Sequence, residues 1–302
     1  MSDRRPFTGC GTALVTPFTV NGRLDVAAVR RLARRQIEGG VHFLVPVGTT
    51  GEAPTLDAEE RRLVISAVVE QAAGTVPVLA GAGGYDTAEV IRAVHAAHEA
   101  GAHGILSVSP YYSKPSQDGI YQHYAAIAGN TSLPVVLYNV PGRTGSNIEP
   151  ATTERLARLP QIVGIKEASG NVFQIGDVRR RTPDDFLVLS GDDALALPVM
   201  ALGGQGVISV ASNEVPGDMA RLVEACERGD FAAARGIHHR LLPLLQANFL
   251  EGNPIPVKAV MALAGLIEPV YRLPLVSPSS ATLVALRAVA HDLGLLAEAT
   301  ST

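Results

Sequence analysis

The sequence predicts a (β/α)8 barrel, an α/β fold, with a C-terminal helical appendage. Eight short runs rich in Val, Ile and Leu recur through the chain and do not alternate with polar residues, as expected of parallel strands covered on both faces. Amphipathic stretches of helical spacing separate the runs. Only helical patterns follow the eighth. A doubly wound open sheet is the other arrangement of such units, but no Gly-rich dinucleotide turn follows the first run.

The elements follow in order. The first strand is expected at 11–16, and Asp25 then caps a helix whose apolar positions are Val26, Val29, Ala33 and Ile37. The second strand, 43–47, precedes Asp57 and Glu60, a pair with capping-box spacing, and Val64, Val68 and Ala72 line one face of the helix that follows. The third, 76–80, precedes Asp86 and Glu89, with Val90 and Val94 continuing the face. The remaining strands are expected at 104–108, 135–138, 162–165, 186–189 and 206–210. Helices then read at 215–228, 231–249, 256–265 and 279–296. The expected division is a catalytic barrel over 1–230 and a helical region over 231–302 packed on it.

Composition narrows the function. The chain has 302 residues, is 47% hydrophobic and 18% charged, and carries a net charge of −4. Its charges are interspersed, so no basic stripe suggests nucleic acid. No apolar run is long enough to span a bilayer, and none near the N-terminus resembles a signal peptide. Cys10 and Cys226 have no paired spacing, which fits a reducing cytoplasm rather than a disulfide framework.

Barrel chemistry sits on the loops after the strands. Lys166 ends the run Ile162-Val163-Gly164-Ile165, and Tyr138 ends the run before it. A buried ammonium is costly, whereas a lysine that attacks a carbonyl must do so as the neutral amine. In one barrel the two side chains project into the same mouth, pairing an imine-forming amine with a phenol that can move protons. Singly, each has an ordinary reading: a solvated lysine beside Glu167, and a packed aromatic.

The other strand ends add to the pair. Gly48-Thr49-Thr50-Gly51-Glu52 offers hydroxyls and N–H groups for a small carboxylate, or is a polar turn. Tyr111 and Tyr112 are adjacent in a Pro-bounded loop, so one is expected to face the site and the other a neighbour. Arg143 in Pro141-Gly142-Arg143-Thr144-Gly145 has the fork that binds carboxylates, or a surface ion pair. Asp192 and Asp193 disfavour a phosphate after strand seven. His95, His98, His238 and His239 lie in helical stretches, so no metal site is expected.

These motifs together resemble the dihydrodipicolinate synthase (4-hydroxy-tetrahydrodipicolinate synthase) family of the pyruvate-dependent class I aldolase/N-acetylneuraminate lyase superfamily. The resemblance implies that Lys166 forms a Schiff base with pyruvate and Tyr138 exchanges protons. It implies a relay through Thr49 and through Tyr112 from a neighbouring subunit. Thr50, with the backbone near Ile208 and Gly191, would hold the pyruvate carboxylate, and Arg143 that of L-aspartate 4-semialdehyde. It further implies no cofactor or metal, a cytoplasmic homotetramer of two tight dimers, and a lyase of lysine and diaminopimelate biosynthesis. Sialic acid lyase and 2-keto-3-deoxy sugar-acid aldolase share the lysine and tyrosine, but Arg143 and Thr49 lean away from the former. A non-catalytic binding relative is a further alternative, against which an intact Lys166, Tyr138 and Thr49 argue. The regulatory pocket of lysine-sensitive members corresponds to Tyr85, Glu89 and Tyr111. Ala58, Arg61 and Tyr85 depart from the usual histidines and asparagine there, which implies a weak response to lysine.

Overall fold

A computed structural model describes residues 6–296. Residues 1–5 and 297–302, the latter belonging to the expected 231–302 region, lie outside the described residues. The strands are β1 Gly9–Ala13, β2 Phe43–Val45, β3 Leu79–Gly81, β4 Gly104–Val108, β5 Val135–Asn139, β6 Ile162–Glu167, β7 Leu187–Ser190 and β8 Gly206–Ser209. All pair in parallel, in the spatial order β2-β1-β8-β7-β6-β5-β4-β3. A bridge between Leu44 and Val78 brings the two ends together. Gly81 allows that approach: a Cβ there would lie 2.0 Å from the Val47 carbonyl oxygen. The result is the expected (β/α)8 barrel.

The strand ends differ from the expected runs for identifiable reasons. β1 starts earlier, where Gly9 pairs with Gly206, and stops before Val15, whose N–H goes to Asn213 Oδ1 at 3.1 Å. The ladder of β3 begins only at Leu79. One irregularity has wider effect. Val135 pairs with Ile162 but Val136 pairs with Gly164, so Val163 is an extra residue in β6.

The helices are α1 Val26–Glu38, α2 Ala58–Ala72, α3 Thr87–Glu99, α4 Gln117–Ala128, α5 Pro141–Thr144, α6 Pro150–Leu156, α7 Val172–Arg181, α8 Ala196–Ala201, α9 Pro216–Glu227, α10 Phe231–Ala247, α11 Ile255–Leu263 and α12 Ser280–Asp292. Asp25 caps α1, Asp57 and Glu60 form a complete capping box on α2, and Asp86 caps α3. The residues read as a loop at 141–144 form one helical turn, opened by a proline and closed by left-handed Gly145.

Two apolar layers result. Phe7, Phe43, Leu79, Val136, Leu187 and Ile208 fill the barrel interior. Leu44, Val78, Ile105, Leu137 and Ile165 belong to the outer layer, which also holds Val29, Ala33, Val64, Val68 and Val94 of α1–α3. Helix α9 packs on β1 and α10, and α10 and α11 pack on α12.

His123 of α4 is buried in this shell, with Nδ1 2.9 Å from Thr87 Oγ1 and no hydrogen-bond partner for Nε2 among the described residues. Burial pushes its pKa down to about 4. The unfolded chain therefore takes the proton first, and stability is lost as the pH falls from about 6.5 towards 4. The His123 contribution to that loss at pH 5 is about 2 kcal/mol. Denaturant unfolding of His123→Asn at pH 7 and pH 5 should show a fall smaller than in the wild type by roughly that amount. Equal falls in the two proteins would contradict this account.

Candidate active site

The register of β5 and β6 builds the centre of the site. Tyr138 pairs with Lys166 and Asn139 with Glu167. Side chains alternate along a strand, so Tyr138 and Lys166 turn into the barrel mouth while Asn139 and Glu167 turn towards the helices. Lys166 Nζ lies 4.3 Å from the Tyr138 ring centroid, and the residue is only 6% exposed. The surface pairing of Lys166 with Glu167 is not what the carboxylate does. It accepts from Asn139 Nδ2 at 3.0 Å, Ser169 N at 2.9 Å and Gln174 Nε2 at 3.1 Å. Burial raises the Glu167 pKa, and those hydrogen bonds oppose the rise.

Lys166 opens into a cavity of about 110 Å3 with Thr49, Thr50, Tyr138, Arg143 and Gly191 around it. An adjoining cavity of about 280 Å3 shares Thr49, Tyr138 and Arg143 and runs to Tyr111. A third, of about 560 Å3, continues past Tyr111 to Tyr85 and Glu89. In the third cavity the rings of Tyr85 and Tyr111 meet edge to face at 5.2 Å, and Glu89 is paired with Arg92. Arg61 is bonded to the carbonyls of Leu56 and Ala53 at 3.1 and 2.9 Å.

Two residues stand apart from this group. Ile208 is buried in the barrel interior below the cavity that Lys166 lines. Tyr112 is 89% exposed, with left-handed backbone at φ 67°, and lines none of the three cavities, while Tyr111 lines two. The adjacent tyrosines thus face opposite ways.

Reasoning from the sequence missed Asn253, which precedes α11 and lines the inner cavity. Its Nδ2 donates to Thr50 Oγ1 at 3.0 Å, and its carbonyl accepts from Arg143 Nη2 at 3.3 Å. Its Oδ1 is buried and has no hydrogen-bond partner among the described residues. No strand-end position flags it, because it reaches the mouth from outside the eight repeats. Asp193, expected at the mouth, instead turns inward and accepts from the N–H groups of Val210 and Ala211, each at 2.9 Å.

The comparisons agree with this geometry. The model of the dihydrodipicolinate synthetase family matches residues 6–292. The chain belongs to that family. A family protein of Koribacter versatilis named 4-hydroxy-tetrahydrodipicolinate synthase is 52% identical over 293 residues, covering 97% of this chain and 98% of the relative. A solved dihydrodipicolinate synthase variant described as monomeric superposes with a TM-score of 0.94 at 45% identity, covering 96% of this chain and 98% of that one. A chloride-inhibited synthase from Acinetobacter baumannii, solved with pyruvate, gives a TM-score of 0.94 at 40% identity, covering 96% and 99%.

Within this family site, Gly191 has a steric role. A Cβ at that position would lie 2.6 Å from Ala168 Cβ and 3.0 Å from Lys166 Cε. Gly191→Ala must displace one of them. It should slow borohydride-trapped imine formation on Lys166 with a small 2-oxo acid by about tenfold or more, the usual cost of a misplaced reacting group. Quantitative mass spectrometry of trapped Lys166 measures this, and an unchanged rate would show that the lysine has room to spare.

Proposed function

We propose that this chain condenses pyruvate with L-aspartate 4-semialdehyde to 4-hydroxy-tetrahydrodipicolinate, as a lyase-class enzyme of lysine and diaminopimelate biosynthesis. One observation carries the reading. Of the chain's three lysines, Lys114, Lys166 and Lys258, Lys166 lines a cavity with Tyr138, Thr49, Thr50 and Arg143. Lys258 is fully buried and ion-paired with Glu52, and Lys114 lies in an outer loop.

In this reading neutral Lys166 Nζ attacks the pyruvate ketone, and loss of water gives an imine. The imine accepts the electron pair left when a methyl proton departs, giving an enamine. The enamine carbon bonds to the aldehyde carbon of the semialdehyde, whose oxygen takes a proton. The amino group of that substrate then attacks the imine carbon, closes the ring and releases Lys166. Tyr138 is within reach of the proton at these steps, with Thr49 beside it. Thr50 and the backbone near Gly191 and Ile208 are assigned to the pyruvate carboxylate, and Arg143 to the semialdehyde carboxylate.

Assembly belongs to the same proposal. Exposed Tyr112 is suited to enter the site of a second copy and complete the relay. Val172 and Phe173 open α7 and Leu202 follows α8, which packs on α7; all three are exposed, Phe173 to 93%. Two such surfaces support a tetramer of two dimers, although the family includes a variant described as monomeric. Cys10 and Cys226 are buried free thiols, which suits a reducing cytoplasm. Among the described residues no helix is long and apolar enough to cross a membrane. The cavity at Tyr85, Glu89 and Tyr111 remains the candidate regulatory pocket. Its Glu89 is engaged by Arg92 and its Arg61 by carbonyls, which supports a weak response to lysine.

Borohydride reduction in the presence of pyruvate should label Lys166 stoichiometrically. Label on Lys114 or Lys258 instead would sink the mechanism.

Arg143→Ala should raise KM for L-aspartate 4-semialdehyde by at least about tenfold, since a charge-assisted contact contributes about 1.5–3 kcal/mol. KM for pyruvate should change far less. Steady-state kinetics with each substrate varied in turn decides this. Equal rises would remove Arg143 from semialdehyde recognition, and faster turnover of N-acetylmannosamine than of the semialdehyde would favour the sialic acid lyase reading.

A further inference from the structure

The turn Gly48-Thr49-Thr50-Gly51-Glu52 is bracketed by two left-handed residues, Val47 at φ 59° and Glu52 at φ 53°. For β-branched Val47 this is a strained conformation, and such strain persists only where the surroundings enforce it. The enforcing contacts come largely from outside the barrel repeats. Asn253 Nδ2 donates to Thr50 Oγ1 at 3.0 Å. Thr16 Oγ1 donates to the Gly51 carbonyl at 2.7 Å. Lys258 Nζ, on α11, is ion-paired with Glu52, and both side chains are wholly shielded from solvent.

All three Lys258 donors are used. Besides Glu52 they reach the Thr16 carbonyl at 3.2 Å and the Val270 carbonyl at 2.7 Å. The second Glu52 oxygen accepts from Arg272 N at 3.2 Å, and the Arg272 guanidinium bonds the Thr55 carbonyl and both Glu60 oxygens. Three consecutive turn residues, Thr50, Gly51 and Glu52, are thus held one by one. A buried ion pair is often no better a stabiliser than apolar packing, and what this one visibly does is hold the end of the turn.

We propose that the buried Lys258–Glu52 pair, together with the Thr16 hydroxyl on Gly51, is a positioning clamp of the active site, fixing the strand-two turn so that Thr50 lines the cavity beside Lys166 and receives the substrate carboxylate. Neither residue touches substrate. The inference rests on the condensation reading above and extends it to α11, whose contacts set the affinity for the 2-oxo acid rather than the reactivity of the amine.

The test uses the neutral pair E52Q/K258M, which avoids the unpaired buried charge that either single change would leave. Imine trapping by borohydride is followed on Lys166 with pyruvate and, separately, with acetone, which has the ketone but no carboxylate. Half-saturating pyruvate should rise by about tenfold or more, as expected when binding groups are displaced. The trapping rate with acetone should stay at the wild-type value. A purely structural role would lower both together. Equal losses for the two ketones, or half-saturating pyruvate within about twofold of wild type in a folded variant, overturn the proposal. If circular dichroism shows E52Q/K258M unfolded, Thr16→Val replaces it, removing one hydroxyl contact at constant shape. It should raise half-saturating pyruvate by about threefold, within the range of a single hydrogen bond, with acetone again unaffected. No change in that variant also overturns the clamp. Failure of the wild type to trap pyruvate on Lys166 would overturn the condensation reading and the positioning role with it, whereas trapping that is insensitive to the variants would remove the positioning role alone.

Discussion

One extra residue in β6 decides which side chains reach the barrel mouth. If the pairing of Val135 with Ile162 continued in step, Ile165 would stand opposite Tyr138. Because Val163 is bulged out, Gly164 pairs with Val136 and Lys166 with Tyr138. Strand side chains alternate, so a one-residue difference reverses the inward and outward sets. With the bulge, Ile165 packs outward beneath the helices and Lys166 turns into the cavity. Glu167 then falls among Asn139, Ser169 and Gln174, which hold a buried carboxylate without engaging the amine.

Most of the architecture was legible because parallel strands buried on both faces leave an apolar signature, and capping acids mark the helices that follow. Asp25, Asp57 and Asp86 cap as their spacing indicates. The strand-end rule also found Lys166, Tyr138, Thr49, Thr50 and Arg143, which share one cavity with Gly191, a residue that only the family resemblance pointed to. That rule works because a barrel strand delivers its last residues to the mouth whatever the helices do.

What it missed lies elsewhere in the chain or in the backbone. Asn253 and Lys258 belong to the approach and body of α11, and only tertiary packing brings them more than two hundred residues back to Thr50 and Glu52. In the sequence Lys258 sits within an apolar helix and Glu52 reads as the end of a polar turn, so nothing local marks a buried pair. The directions of Tyr111 and Tyr112 depend on a left-handed backbone at Tyr112. Non-glycine residues adopt that conformation too rarely for local sequence to foretell it. The residues by themselves therefore indicated a divergence of the two rings, and only the family resemblance pointed Tyr112 at a neighbour.

The reach of α11 bears on how such a chain can be cut or recombined. A break near residue 230 looks natural, since it separates the repeating β/α units from the helices beyond. A fragment ending there would retain the lysine, the phenol and the strands that present them. It would lose the amide that steadies Thr50, the ammonium that neutralises Glu52 and the guanidinium that braces the far side of the same turn. Glu52 would be left as a lone charge in the wall of the mouth. The eight repeats would then keep the amine and the phenol but lack every contact that α11 and the segments on either side of it make to this turn.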